Sequence, residues 1–140
     1  GVNNYIAYSD SITIWHKAQM TQQPTYSWGL VQIGNAGSPI ESEDGWLVIT
    51  HAVGPMREYT LGASLYELDN PAKEIGRLSS PLMVPNEVER EGYVPNVIYS
   101  CGSIIHNNDL IIAYAMSDYS SSYATVDLRE LLNVLKASRA

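Results

Sequence analysis

Phenylalanine is absent from this chain, and cysteine occurs once, at Cys101. A single cysteine excludes an internal disulfide and a cysteine-rich zinc site. Charge is also scarce, at 16% of residues against a usual ~25%. With 45% hydrophobic residues, that excludes a disordered chain and a coiled coil. Basic residues are the scarcest: Lys plus Arg is 8, Asp plus Glu is 15, and the net charge is -7. No Lys/Arg cluster appears, so no nucleic-acid partner is expected. No apolar run reaches the ~18 residues of a membrane span, so no membrane partner is expected either. The opening Gly1-Val2-Asn3-Asn4 lacks the charged start and apolar stretch of a secretory leader, which predicts a cytoplasmic protein. His51, His106 and the carboxylates have no metal-ligand spacing, and no Gly-rich loop precedes a helix. No metal or other cofactor is expected.

What is present fits one domain over residues 1–140, long enough to bury about two thirds of the surface of the unfolded chain. There are 10 Tyr and 3 Trp. Each carries a polar handle on a flat apolar body, which suits a surface that binds sugar rings. The same residues are also good strand formers.

The chain reads mostly as strands. Tyr5–Tyr8 and Ser11–Trp15 are short and β-rich, the second alternating with a period of two. Lys17–Ser27 is rich in Gln, Thr and Pro and reads as a loop. Pro39-Ile40 and Gly45–His51 flank an Asp44-Gly45 hairpin signal. Tyr59–Leu68 is a further strand, ended by Asp69-Asn70-Pro71. Asn96–Ile105 and Leu110–Met116 form a second hairpin, and Tyr123–Val126 is a last strand. One helix follows. Asp127 and Glu130 make a capping pattern, and Leu128, Leu131, Leu132 and Leu135 share one face.

An internal repeat organises these strands. Gly37-Ser38-Pro39-Ile40, a polar turn and Trp46–Ile49 match Gly102-Ser103-Ile104-Ile105, a polar turn and Leu110–Ala113. Each hairpin is followed by a third strand. Repeated units of three or four antiparallel strands point to β-propeller blades, with a two-sheet sandwich as the alternative.

The stretches IGNAGSPIESEDGWLVITH (33–51), REYTLGASLYELDNPAKEIGRLSSPLMVPNEVEREGYVPNVIYSCGSIIHNNDL (57–110) and YATVDLREL (123–131) resemble the C-terminal part of glycoside hydrolase family 130. That family holds β-mannoside phosphorylases and β-mannosidases on a five-bladed propeller. The resemblance runs from about Tyr5 to Leu135 and matches the last half of family members. It implies an all-β fold, about half of a five-bladed β-propeller, with one C-terminal helix. The family's general acid is an aspartate in the half that this sequence does not match.

Several residues become candidates for binding substrate. His51 matches a family histidine that lines the active-site centre and contacts phosphate in phosphorylases; read alone, it is a strand-end histidine. Gln32 stands where phosphorylases of the family carry a lysine. Gln brings no charge, which puts phosphorolysis in doubt and favours hydrolysis or no reaction; read alone, it is an ordinary strand residue. Asp118 matches a family aspartate near the bound sugar and could equally serve an Asx turn. Asn35, Tyr93 and Asn96 lie in segments that face the cleft in relatives, each with a backbone-turn alternative. Arg57, just after the Gly54-Pro55-Met56 loop, is a candidate ligand for an anion or hydroxyl; Arg90 sits among Glu87, Glu89 and Glu91, where a local salt bridge is the better reading. His16 and His106 read as surface or turn residues. Cys101 reads as buried packing, Trp28 and Trp46 as packing, and Trp15 as a possible stacking platform. No residue is assigned as catalytic.

Two functions compete: part of a mannoside-active glycosidase or phosphorylase, inactive alone for want of the general acid, or a carbohydrate-binding or assembly module built from propeller blades. Either way, about two blades leave open faces. Ile12, Ile14, Leu47, Ile49, Leu61, Leu65, Ile98, Ile104, Ile111 and Val126 cannot all be inside so small a stack. The expected partner is a second copy of the chain or a complementing propeller half, with a carbohydrate ligand.

Overall fold

The computed structural model describes residues 2–85, 97–117 and 120–138. In chain order the strands are β1 (Asn4–Ile6), β2 (Gln19–Gln22), β3 (Gln32–Asn35), β4 (Ile40–Ser42), β5 (Gly45–Val53), β6 (Tyr59–Tyr66), β7 (Glu74–Arg77), β8 (Ile98–His106), β9 (Asp109–Met116) and β10 (Ser120–Asp127). The helix α1 (Leu128–Ala137) follows. Among the described residues the chain is mostly β with one C-terminal α-helix, as expected.

Both hairpins of the repeat form. Ser42 pairs with Gly45 across Glu43-Asp44, and His106 pairs with Asp109 across Asn107-Asn108. The Asn107-Asn108 turn uses left-handed backbone, which Asn107 supplies at φ 56°; at the Glu43-Asp44 turn the positive φ falls on the following Gly45, at 151°. One sheet has the order β3-β5-β6-β7, with β4 also on β5; the other has the order β10-β9-β8. β3 and β4 pair with opposite ends of β5 and together make one interrupted edge strand. That is the place β8 holds, with its own irregularity between Tyr99 and Gly102, in the second sheet. The sequence repeat is therefore a repeat of sheets.

The first sheet alternates in the way a two-faced strand must. Leu47, Ile49, Leu61, Ala63 and Leu65 share one face and join Ile98, Leu110 and Ile112 of the second sheet in a single core. Leu131, Leu132 and Leu135 of α1 complete that core. The helix begins as its sequence predicts: the Asp127 carboxylate accepts a hydrogen bond from the Glu130 N–H at 2.8 Å. It is held close to β7, where a Cβ on Gly76 would lie 2.1 Å from the Leu135 carbonyl oxygen. Arg129 pairs with Glu43, and Lys136 with Asp44 at 2.9 Å, tying the helix to the β4–β5 turn.

Two expectations change. Ser11–Trp15 is not a strand but a turn, with a lone bridge between Ser11 and Ile14. The Ser9 hydroxyl accepts from the Ser11 N–H at 3.0 Å, and the Trp15 indole donates to the Ile12 carbonyl at 3.1 Å. Such local bonds compete with a strand ladder. Lys17–Ser27 is not all loop, because β2 pairs with β1. Its Gln22, 2% exposed, donates to Ser64 at 2.8 Å and to Glu74 at 2.7 Å. A glutamine buried and satisfied by sheet partners pins the hairpin to the sheet. The ten apolar residues expected not to be all inside are indeed divided: Leu47, Ile49, Leu61, Leu65 and Ile98 are core. Ile111 and Val126 are half-buried; Ile12, Ile14 and Ile104 are exposed.

Candidate functional site

Gln32 and His51 come together on one face because β3 runs antiparallel to the end of β5, whereas Asn35, one position on from Gly34, takes the opposite face with Trp46 and Val48. Gln32 pairs with Val53, Gly34 with His51, and Asn35 with Thr50. His51 is half-buried. Its ring lies over the Gly34 backbone so closely that a Cβ there would fall 2.6 Å from Nε2. Only glycine leaves the imidazole that position. Burial pushes the His51 pKa below its ordinary 6.5, partly opposed by a hydrogen bond with the Asn35 backbone. The ring is therefore neutral at neutral pH, with one nitrogen a donor and the other an acceptor. Among the described residues, Nδ1 is buried without a hydrogen-bond partner. A neutral imidazole with an unsatisfied nitrogen can bond a hydroxyl or an oxyanion.

Gln32 is half-buried and bridges to Val2. Asn35 is exposed, and its side-chain oxygen accepts from the Asn4 amide at 3.2 Å. Arg57 stands on the β5–β6 turn at the same end of the sheet, exposed, with φ 57°. Its N–H donates to the Gly54 carbonyl at 3.0 Å. Among the described residues, no hydrogen bond or ion pair joins the Arg57 guanidinium to His51, Gln32 or Asn35. Asp118, Tyr93, Asn96 and Arg90 lie outside the described residues. The described residues nearest to them are anchored on β6: Leu61 donates to Met83 at 3.0 Å, and Tyr59 bridges to Val97. Ser117 donates to Val97 at 2.9 Å. Leu61 is the pairing partner of His51.

Cys101 is exposed, not buried as expected. It alternates with Ser100, and Ser100 takes the core face, 1% exposed. Trp28 does pack: its ring fills the place of a Gly62 side chain, stacks on Tyr26 at 6.2 Å and donates to the Ser79 carbonyl at 2.9 Å. His16 and His106 are exposed.

The cavity around Trp46 escaped sequence reasoning. Trp46, Val48 and Tyr66 lie on the face of β5 and β6 opposite the core, and hairpin β1–β2 crosses that face. Between them is a cavity of about 310 Å³, with Tyr5, Thr21 and Asn35 on its other walls. The signal was the alternation of Trp46 and Val48 with core Leu47 and Ile49. What it lacked was the partner strand β2, which lies in the Lys17–Ser27 stretch expected to be a loop. Burial, with the Glu74 carboxylate nearby, pushes the Tyr66 hydroxyl up to about 12, eased by a bond to Thr21 and by Arg77. It stays protonated and able to donate.

Among the described residues no helix is long and apolar enough to cross a membrane.

Similarity to known proteins runs along nearly the whole chain. In a solved structure, the beta-1,2-mannobiose phosphorylase of Listeria innocua with beta-1,2-mannobiose superposes with a TM-score of 0.89 at 24% identity. That match covers 97% of this chain and 39% of the other. Among curated proteins, the 1,2-beta-oligomannan phosphorylase of Thermoanaerobacter sp. (strain X514) is 34% identical over 130 residues, 91% of this chain and 44% of its own length. A beta-1,2-mannobiose phosphorylase of the same strain is 38% identical over 104 residues, 74% of this chain and 34% of its own length. The chain thus spans less than half the length of these relatives. The sequence model for glycoside hydrolase family 130, described as beta-1,4-mannooligosaccharide phosphorylase, matches residues 3–137, and the chain belongs to that family.

Proposed function

We propose that this chain is the C-terminal half of a β-mannoside-active enzyme, contributing one wall of a substrate site and no general acid. The observation that carries this is the neutral His51 beside Gln32, with its Nδ1 buried and unsatisfied. Glycoside cleavage needs an acid to protonate the leaving oxygen. The family's acid belongs to the half not matched here, so the chain alone turns nothing over. Relatives act as phosphorylases by name, but Gln32 lacks the charge with which a lysine holds phosphate. With its other half, the protein is a hydrolase before it is a phosphorylase.

The two repeated sheets are read as adjacent blades of a five-bladed propeller, and β1–β2 as the remnant of a third. The outer face of β8–β10 then awaits a further blade. Tyr99, Ile104 and Tyr123 stand exposed there beside Cys101 and Ala113, with no charged side chain among them. A second copy of the chain, or a complementing half, covers that face. A lone unpaired cysteine suits the reducing cytoplasm.

The test has two parts. Purified chain is assayed with a nitrophenyl β-mannoside, with and without inorganic phosphate; no turnover is expected. The His51 side chain is then followed by NMR as mannose and inorganic phosphate are added. Its signals should move, with those of Gln32. Turnover by the chain alone that is abolished by His51→Ala, or shifts confined to Lys17–Ser27, would overturn the proposal.

A further inference from the structure

We infer that the cavity between hairpin β1–β2 and the first sheet is a second binding site, for an uncharged pyranose ring. It rests on its own lining and not on the His51 site. About 310 Å³ falls within the ~300–1,000 Å³ of small-molecule pockets, which are mostly apolar with a few placed polar groups. That is the composition here. The indole of Trp46 and the ring of Tyr5 give flat apolar walls, and Val48 closes the floor. Thr21, Asn35 and the Tyr66 hydroxyl supply hydrogen-bonding groups. No lining side chain carries a charge at neutral pH, so nothing there favours a phosphate, a carboxylate or an amine.

A ligand matching those walls needs a flat apolar face and hydroxyls at its rim, which describes a sugar ring. The aromatic walls are also held in place. The Trp46 indole N–H donates to the Leu68 carbonyl at 3.2 Å, which fixes the ring and leaves its face to the cavity. The hairpin wall is fixed by Gln22, buried among Ser64 and Glu74, and by Asn4, which donates to Gln22 at 3.0 Å and to Asn35 at 3.2 Å. A wall held by such hydrogen bonds is preorganised, which lowers the ordering cost of binding.

The experiment is a titration of the whole chain with methyl β-mannopyranoside, followed by the Trp46 indole and Thr21 amide signals. Saturable shifts at millimolar sugar are expected. Tyr5→Ala, at a wall 58% exposed and so safe for folding, should weaken them about tenfold, and Trp46→Ala should abolish them. His51→Ala should leave them unchanged, which separates this site from the proposed substrate wall. No saturable shift, equal shifts with the acyclic polyol sorbitol, or full binding by Tyr5→Ala would each overturn the inference. Loss in His51→Ala alone would assign the binding to the other site and overturn it as well.

Discussion

The Cα of Gly102 occupies the space that a side chain on Gly37 would need: a Cβ on Gly37 falls 2.8 Å from it and 3.0 Å from the Cys101 carbonyl oxygen. The two glycines hold equivalent places in the repeat, and the edge strands of the two sheets meet there, backbone to backbone. The contact is not symmetrical. Gly37 has φ 107°, whereas a Cβ on Gly102 meets nothing within 4 Å.

That asymmetry gives the first prediction. Gly37→Ala should lose roughly 1–3 kcal/mol, from a backbone shape that L residues rarely adopt and from the collision. Gly102→Ala should stay within ~0.5 kcal/mol of the parent. Urea unfolding of the two variants checks it, and equal losses would show that the sheets do not meet as described.

The C-terminal helix should depend on its cap and on its close approach to β7. Asp127→Ala removes the bond to the Glu130 N–H and should cost ~1 kcal/mol, with Asp127→Asn restoring most of it. Gly76→Ala pushes a methyl group into the Leu135 carbonyl and should cost more than the cap. Thermal melts followed by circular dichroism rank the two.

His51 should leave a mark on stability at mildly acid pH. Its folded pKa lies below 6.5, chiefly through burial. The unfolded chain therefore binds a proton where the folded chain does not. Its contribution is complete above ~6.5 and is lost as the pH falls toward the lower folded value. Between pH ~7.5 and ~5.5 the urea midpoint of the parent should fall further than that of His51→Gln. Parallel curves would contradict the burial of the ring.

Self-association should follow from the uncovered face of β8–β10. In light scattering coupled to size exclusion, the chain should run above 15.5 kDa at micromolar concentration. Tyr123→Glu, which places charge on a residue 76% exposed, should return it toward the monomer. A well-folded monomeric parent would mean that the core and α1 already satisfy the stack.

Local chemistry settled much of this protein in advance. Asn107-Asn108 and Glu43-Asp44-Gly45 set two hairpins, because the backbone of a two-residue turn admits few residue types. Asp127, Glu130 and the leucines at 128, 131, 132 and 135 set a helix and its buried face, since cap and period act within a few residues. The motif 33–51 carried family membership, and with it attention to His51. Other features depended on groups far apart in the chain. β2 is a strand because Gln22 finds Ser64 and Glu74 across 42 and 52 positions, and no local pattern encodes that. Ser11–Trp15, with a good strand alternation, is a turn because its hydroxyls bond locally and no strand comes alongside. Cys101 faces out because alternation fixes only that neighbours face opposite ways, while packing of the second sheet on the first chose Ser100 for the inside. The lowered pKa of His51 was equally beyond the sequence, since it comes from the burial that tertiary pairing gives the ring.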